Sequence, residues 1–140
     1  MIQGRFIIII VVAVSGALGG GILTYAIGIP SSPCAGVVAT TRAFTIVAGQ
    51  TGFNDSKYHQ GSWPVMTVNR CEMVRITIIN NDTQAHGFTI DYYAVKGVEV
   101  LPDQPFTFTF QVSRTGQFRV YCNVYCTVHI FMQNGLLNVV

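Results

Sequence analysis

Polar and apolar positions alternate with a period of two along much of the chain beyond residue 41, the pattern of strands with one face buried. The alternation is plainest in Phe106–Val112, where Phe106, Phe108 and Phe110 take one face and Thr107, Thr109 and Gln111 the other. Short runs rich in β-branched or aromatic residues recur at Arg42–Ala48, Val65–Val68, Val74–Ile79, Gly87–Ile90, Val98–Leu101, Phe118–Cys122 and Leu136–Val140. Turn chemistry falls between them, at Asn80–Asn81–Asp82, Leu101–Pro102–Asp103, Arg114–Thr115–Gly116 and Asn134–Gly135. Strands at this spacing, with no amphipathic helix among them, predict an all-β domain built as an antiparallel sandwich or barrel. The stretch Gln50–Ser62 is polar and aromatic by turns and reads as a long surface loop outside that frame.

The N-terminal part follows another rule. From Phe6 to Ile29 there are 24 residues without a charge, enough for a helix to cross a hydrocarbon core of about 30 Å. The run is longer than the apolar core of a secretory signal, so a retained single-pass anchor in the cell membrane is expected. Arg5, the one charge before the span, places the N-terminus in the cytoplasm and the following domain on the outer side. Ser15, Gly16, Ala17, Gly19, Gly20 and Gly21 give the span a small-residue face, with Gly16 and Gly20 four apart, suited to packing against partner helices. Gly28–Gly36, with its prolines, glycines and serines, reads as a linker. The expected organisation is an anchor over residues 1–29, a linker over 30–41 and a β-domain over 42–140.

Composition narrows the function more by exclusion than by suggestion. Half of the 140 residues are apolar, and the net charge is +2 with no run of Lys or Arg, which speaks against a nucleic-acid partner. No phosphate-binding glycine loop or nucleophile elbow is present. The acidic residues Asp55, Asp82, Asp91 and Asp103 are scattered rather than paired for acid–base work.

The chemistry collects in Gln117–Met132, QFRVYCNVYCTVHIFM, where Cys122, Cys126, His129 and Met132 fall within eleven residues. Strand parity puts Phe118, Val120 and Cys122 on the inward face, and His86 lies in an apolar segment that can return to the same place from another strand. A disulfide between Cys122 and Cys126 would close a strained small loop and leave His129 and Met132 without a reason. Zinc accepts Cys and His but gains nothing from Met, whereas thiolate, imidazole and thioether together suit copper. Cys34 and Cys71, each beside a turn and away from any His, are expected to form a disulfide. His59 reads as a solvated surface histidine. Trp63 and Phe53 are candidates either for a docking surface or for packing beneath the loop.

The order His86–Gly87–Phe88, Glu99–Val100–Leu101–Pro102, Gly116–Gln117–Phe118–Arg119 and Cys122–Asn123–Val124–Tyr125–Cys126, followed by His129 and Met132, resembles subunit II of haem-copper (cytochrome c oxidase) respiratory oxidases, notably the small single-helix B-type. The resemblance covers residues 42 to 140, with a matching anchor before them. It implies a cupredoxin-like Greek-key sandwich or barrel carrying a dinuclear copper centre of CuA type. Cys122 and Cys126 would bridge both coppers, His86 and Met132 would complete one, and His129 and the Val124 carbonyl the other. Such a subunit accepts electrons from a small soluble donor, a cytochrome c or a blue copper protein, and passes them to haem in subunit I. Oxygen is reduced in that partner. One departure stands out: the family places three residues between the second Cys and the His, and here there are two, Thr127 and Val128. That spacing, Cys126-x-x-His129-x-x-Met132, resembles the amicyanin-type blue copper proteins, which implies a single type 1 copper held by His86, Cys126, His129 and Met132. A quinol-oxidase subunit II with a degenerate copper site is the third reading.

Overall fold

In the computed structural model, which describes residues 33–140, short strands lie where the period-two pattern placed them. Nine occur among the described residues: β1 (Thr41–Gly49), β2 (Gly52–Phe53), β3 (Val65–Val68), β4 (Met73–Asn80), β5 (His86–Ile90), β6 (Ala94–Val100), β7 (Phe106–Gln111), β8 (Gly116–Tyr121) and β9 (Gly135–Val139). Two 3₁₀ turns, Ser56–Tyr58 and His129–Met132, complete the regular structure. Val37–Val140 form one unit. The expected span Phe6–Ile29 lies outside the described residues, among which no helix is long and apolar enough to cross a membrane.

The strands form two sheets, ordered β2-β1-β4-β7 and β3-β9-β8-β5-β6. Both are mixed rather than purely antiparallel: β1 runs parallel to β4, with Phe44 opposite Ile76, and β3 runs parallel to β9, with Met66 opposite Leu137. This corrects the antiparallel expectation. Parallel neighbours need a long return connection, and here the chain between β1 and β4 supplies it by building β3 in the other sheet.

Alternation converts directly into burial. In β4, Val74, Ile76, Ile78 and Asn80 point inward and are buried, while Arg75 and Ile79 are exposed. Ile46, Ala48, Val120, Leu137 and Val139 meet them in one apolar core. On β7, Phe108 and Phe110 are only partly buried, because β7 is an edge strand; they pack on Phe88 and Tyr93 as an aromatic row. The stretch Gln50–Ser62 is not the free surface loop expected of it. Gly52–Phe53 pairs with β1, Ser56 Oγ donates to the Phe131 carbonyl, and Phe53 is fully buried against Phe88 at 5.6 Å between ring centroids. A lone apolar side chain among polar neighbours shows no period, so the core was able to claim it unannounced. Phe53 therefore packs inside and offers nothing for docking. His59 is exposed as expected and stacks on the half-buried Trp63, with 3.9 Å between rings. Cys34 and Cys71 are each disulfide-bonded, while Cys122 and Cys126 are free thiols.

Candidate metal centre

Two strands and one turn converge on the cysteines. β8 ends at Tyr121, so Cys122 is the first residue of the loop that leaves it, still on the inward parity set by Phe118 and Val120. His86 opens β5, the neighbour of β8 in the sheet. The loop then turns through Cys126 into the 3₁₀ turn His129–Met132 before β9 begins. One donor atom each of His86, Cys122 and Cys126 lies within 4.8 Å of the others, and all three side chains are buried at 0%, 1% and 5% exposure.

The remaining expected residues are drawn in around this cluster. The Val124 carbonyl lies 3.0 Å from Cys122 Sγ and 3.1 Å from His129 Nδ1, so it links the half-buried histidine to the sulfur pair. Met132 is buried in the same core, and its carbonyl accepts a hydrogen bond from the Cys122 N–H at 2.8 Å.

His86 is the informative member. Its Nε2 stands 3.0 Å from Asp82 Oδ2, and its Nδ1 is buried without a hydrogen-bond partner. A carboxylate only accepts, so Nε2 carries the ring proton and Nδ1 keeps a free lone pair. Leaving such an atom buried and unpaired costs about 1–3 kcal/mol, a cost that a metal ion at that position removes. Burial acts to raise the Asp82 carboxyl, but hydrogen bonds from Gln84, the Thr83 N–H and His86 outweigh it and hold the group below its ordinary value. The acceptor thus remains anionic.

Burial, and after it the neighbouring Cys122 sulfur, push the Cys126 thiol up to about 11. The Cys126 sulfur therefore keeps its proton until a cation arrives; a bound metal inverts that balance. The gathered donors, one imidazole and two sulfurs, fit copper on the chemistry of their members, since soft ligands dominate; His129 reaches them only through the Val124 carbonyl, and Met132 shares the core with the sulfurs.

Sequence reasoning missed the residues that hold these ligands in place. Gln84 donates to Asp82 Oδ2 at 2.9 Å and to Thr127 Oγ1 at 2.7 Å, and accepts from the Thr127 N–H at 3.0 Å, stitching the two ligand-bearing loops together. Gln133 Nε2 donates to the Cys122 carbonyl at 3.0 Å and lies 3.1 Å from His129 Nε2. Gly87 donates its N–H to Cys122 Sγ at 3.1 Å, and a Cβ there would meet Asn123 Oδ1 at 2.2 Å and Val124 N at 2.7 Å. An acidic residue four before a ligand histidine is the one signal the sequence offered for this supporting layer.

No protein-family model and no curated protein matches the sequence. Solved structures do match. A chain of a heme-copper terminal oxidase dimer superposes with a TM-score of 0.55 at 20% identity, over 71% of this chain and 65% of that one. A multicopper oxidase gives 0.58 at 18% identity, over 72% and 42%. A copper nitrite reductase from Nitrosomonas europaea gives 0.57 at 19%, over 71% and 41%. The chain thus matches 65%, 42% and 41% of the three lengths. At these identities the likeness is one of fold, and the fold is cupredoxin-like.

Proposed function

We propose that this chain is the electron-entry subunit of a haem-copper terminal oxidase, the counterpart of subunit II, with a dinuclear copper centre. The observation that carries the reading is the buried cluster of His86, Cys122 and Cys126, in which His86 Nδ1 has no hydrogen-bond partner and neither thiol is in a disulfide. Cys122 and Cys126 would be shared by both metals, with His86 and Met132 on one and His129 and the Val124 carbonyl on the other. Val124 O and His129 Nδ1 stand 3.1 Å apart beside Cys122, where they would serve the second metal once the hydrogen bond between them gives way. The likeness to a chain of a heme-copper oxidase supports the choice of partner.

When bound, a copper pair bridged by two thiolates supplies one-electron transfer with its charge spread over both metals. The protein's part is to hold the donors still. Asp82 fixes the His86 ring, Gln84 ties the His86 loop to Thr127, and Gln133 braces Cys122 and His129. The Gly87 N–H bonds to the Cys122 sulfur, and the buried cluster excludes water. A donor set fixed before the electron arrives needs little rearrangement when it leaves.

In this reading Phe6–Ile29 anchors the chain in the cell membrane with the domain on the outer side. There it takes electrons from a soluble cytochrome c or blue copper protein, and oxygen is reduced in the haem-bearing partner. The two-residue spacing between Cys126 and His129 favours the alternative, a single type 1 copper in a membrane-tethered carrier. Purification in mild detergent separates them. Co-elution with a haem-bearing polypeptide, and loss of donor-driven haem reduction in Cys122→Ser, is the expected result; a chain that elutes alone and still accepts electrons after that substitution contradicts the proposal.

A further inference from the structure

Beside β1, well apart in role from the thiols, the domain carries a cleft of about 440 Å³ whose walls include Gln50, Thr51, Asn54, Asp55 and Asn81. Both asparagines in it open an Asn-x-Ser/Thr sequence, Asn54–Asp55–Ser56 and Asn81–Asp82–Thr83, the acceptor pattern for N-linked sugar. Their side chains differ in what they are free to do. Asn54 accepts from the Val47 N–H at 2.7 Å and donates to the Thr45 carbonyl at 3.3 Å, so its amide is committed to closing the β1–β2 hairpin. Asn81 is exposed; its backbone N–H bonds to the Ala48 carbonyl at 2.9 Å, and its side-chain amide takes no hydrogen-bond partner among the described residues. Thr83, the residue that completes its sequence, is exposed as well.

We infer that Asn81 is a glycosylation site and that Asn54 is not. The amide nitrogen of Asn81 attacks the anomeric carbon of a lipid-phosphate-linked oligosaccharide. The new C–N bond forms as the anomeric C–O bond to phosphate breaks, the amide gives up one proton, and the lipid phosphate leaves. The cleft gives the first sugar a place to lie, with the Gln50 amide and the Thr51 and Asp55 oxygens as polar partners. The chain position helps, because Asn81 belongs to the turn after β4 and carries no core side chain of its own. The site stands beside Asp82, so the sugar would shield the loop that orients His86 from the solvent side.

The inference rests on the outward placement of the domain, and the test separates the two. The full chain is produced in cells that transfer lipid-linked oligosaccharide to an exported control protein, then digested and mapped by mass spectrometry. In parallel, protease is added to the intact cells to report which side the domain occupies. The expected result is added sugar mass on the Asn81 peptide, abolished in Asn81→Gln and in Thr83→Ala but retained in Thr83→Ser and in Asn54→Gln. A domain cleaved from outside with Asn81 unmodified overturns the inference and leaves the outward placement standing. Sugar on Asn54 overturns it too. A domain protected from the protease removes both.

Discussion

A single imidazole nitrogen carries much of the account. His86 is fully buried, its Nε2 is bound to Asp82, and its Nδ1 has no partner unless a metal supplies one. Removing Asp82 unfixes both the tautomer and the ring. Asp82→Ala is therefore expected to lower copper affinity roughly 10- to 100-fold, measured by competition with a chelator of known strength; an unchanged affinity would mean that Asp82 only fills space. Cys126 gives a second prediction, in pH. Its thiol is raised from 9.0 to about 11, chiefly by burial, so at neutral pH the copper-free protein holds the proton. Ligation needs the thiolate, so loading must expel that proton. Apparent affinity should climb with pH until about 11 and level off above it, where the sulfur is already ionised. Proton uptake or none, on adding copper in weakly buffered solution, would contradict the assignment of Cys126 as a ligand. The donors themselves were legible because four of them cluster within Gln117–Met132 and their chemistry is distinctive. Asp82 left only the signal of an acid four before His86, and Gln84 left none: it acts by hydrogen bonds to Thr127, 43 residues away, and a sequence does not announce such pairings.

Among the elements, the start of β5 and the loop after β8 must approach closely for the donors to meet. Gly87 is what permits it, since any side chain there would strike Asn123 and the Val124 backbone. Gly87→Ala should leave the strand signal in circular dichroism near its original size while bound copper per chain falls sharply; full loading of that variant would show that the loops can yield. In the other sheet, the two-residue β2 sends Phe53 into the core. Phe53→Ala is expected to cost about 3–5 kcal/mol in denaturant unfolding, whereas a surface aromatic would cost far less. Strands β1, β4, β7 and β8 were readable from their alternation. Strand β2 was too short to show one, and the parallel pairings were invisible because a period of two tells which face is buried but not which neighbour lies alongside.

At the scale of the whole molecule, two mixed sheets enclose one apolar core and leave the start of β5 and the end of β8 to carry chemistry. Rigid strands position short loops, so the donors gain precision from a scaffold that has no chemistry of its own. The cupredoxin-like fold was legible from the strand spacing together with the Cys-Asn-x-Tyr-Cys resemblance, and it agrees with the solved structures that superpose on the domain. The fold alone is shared by proteins with different copper sites, so the metal content has to be read from the donors. The most direct test is copper per chain, taken together with the electron paramagnetic resonance spectrum of the purified full-length protein. Two coppers per chain with one unpaired electron shared between both nuclei is the predicted result; one copper with an electron confined to a single nucleus, or no copper at all, would contradict it.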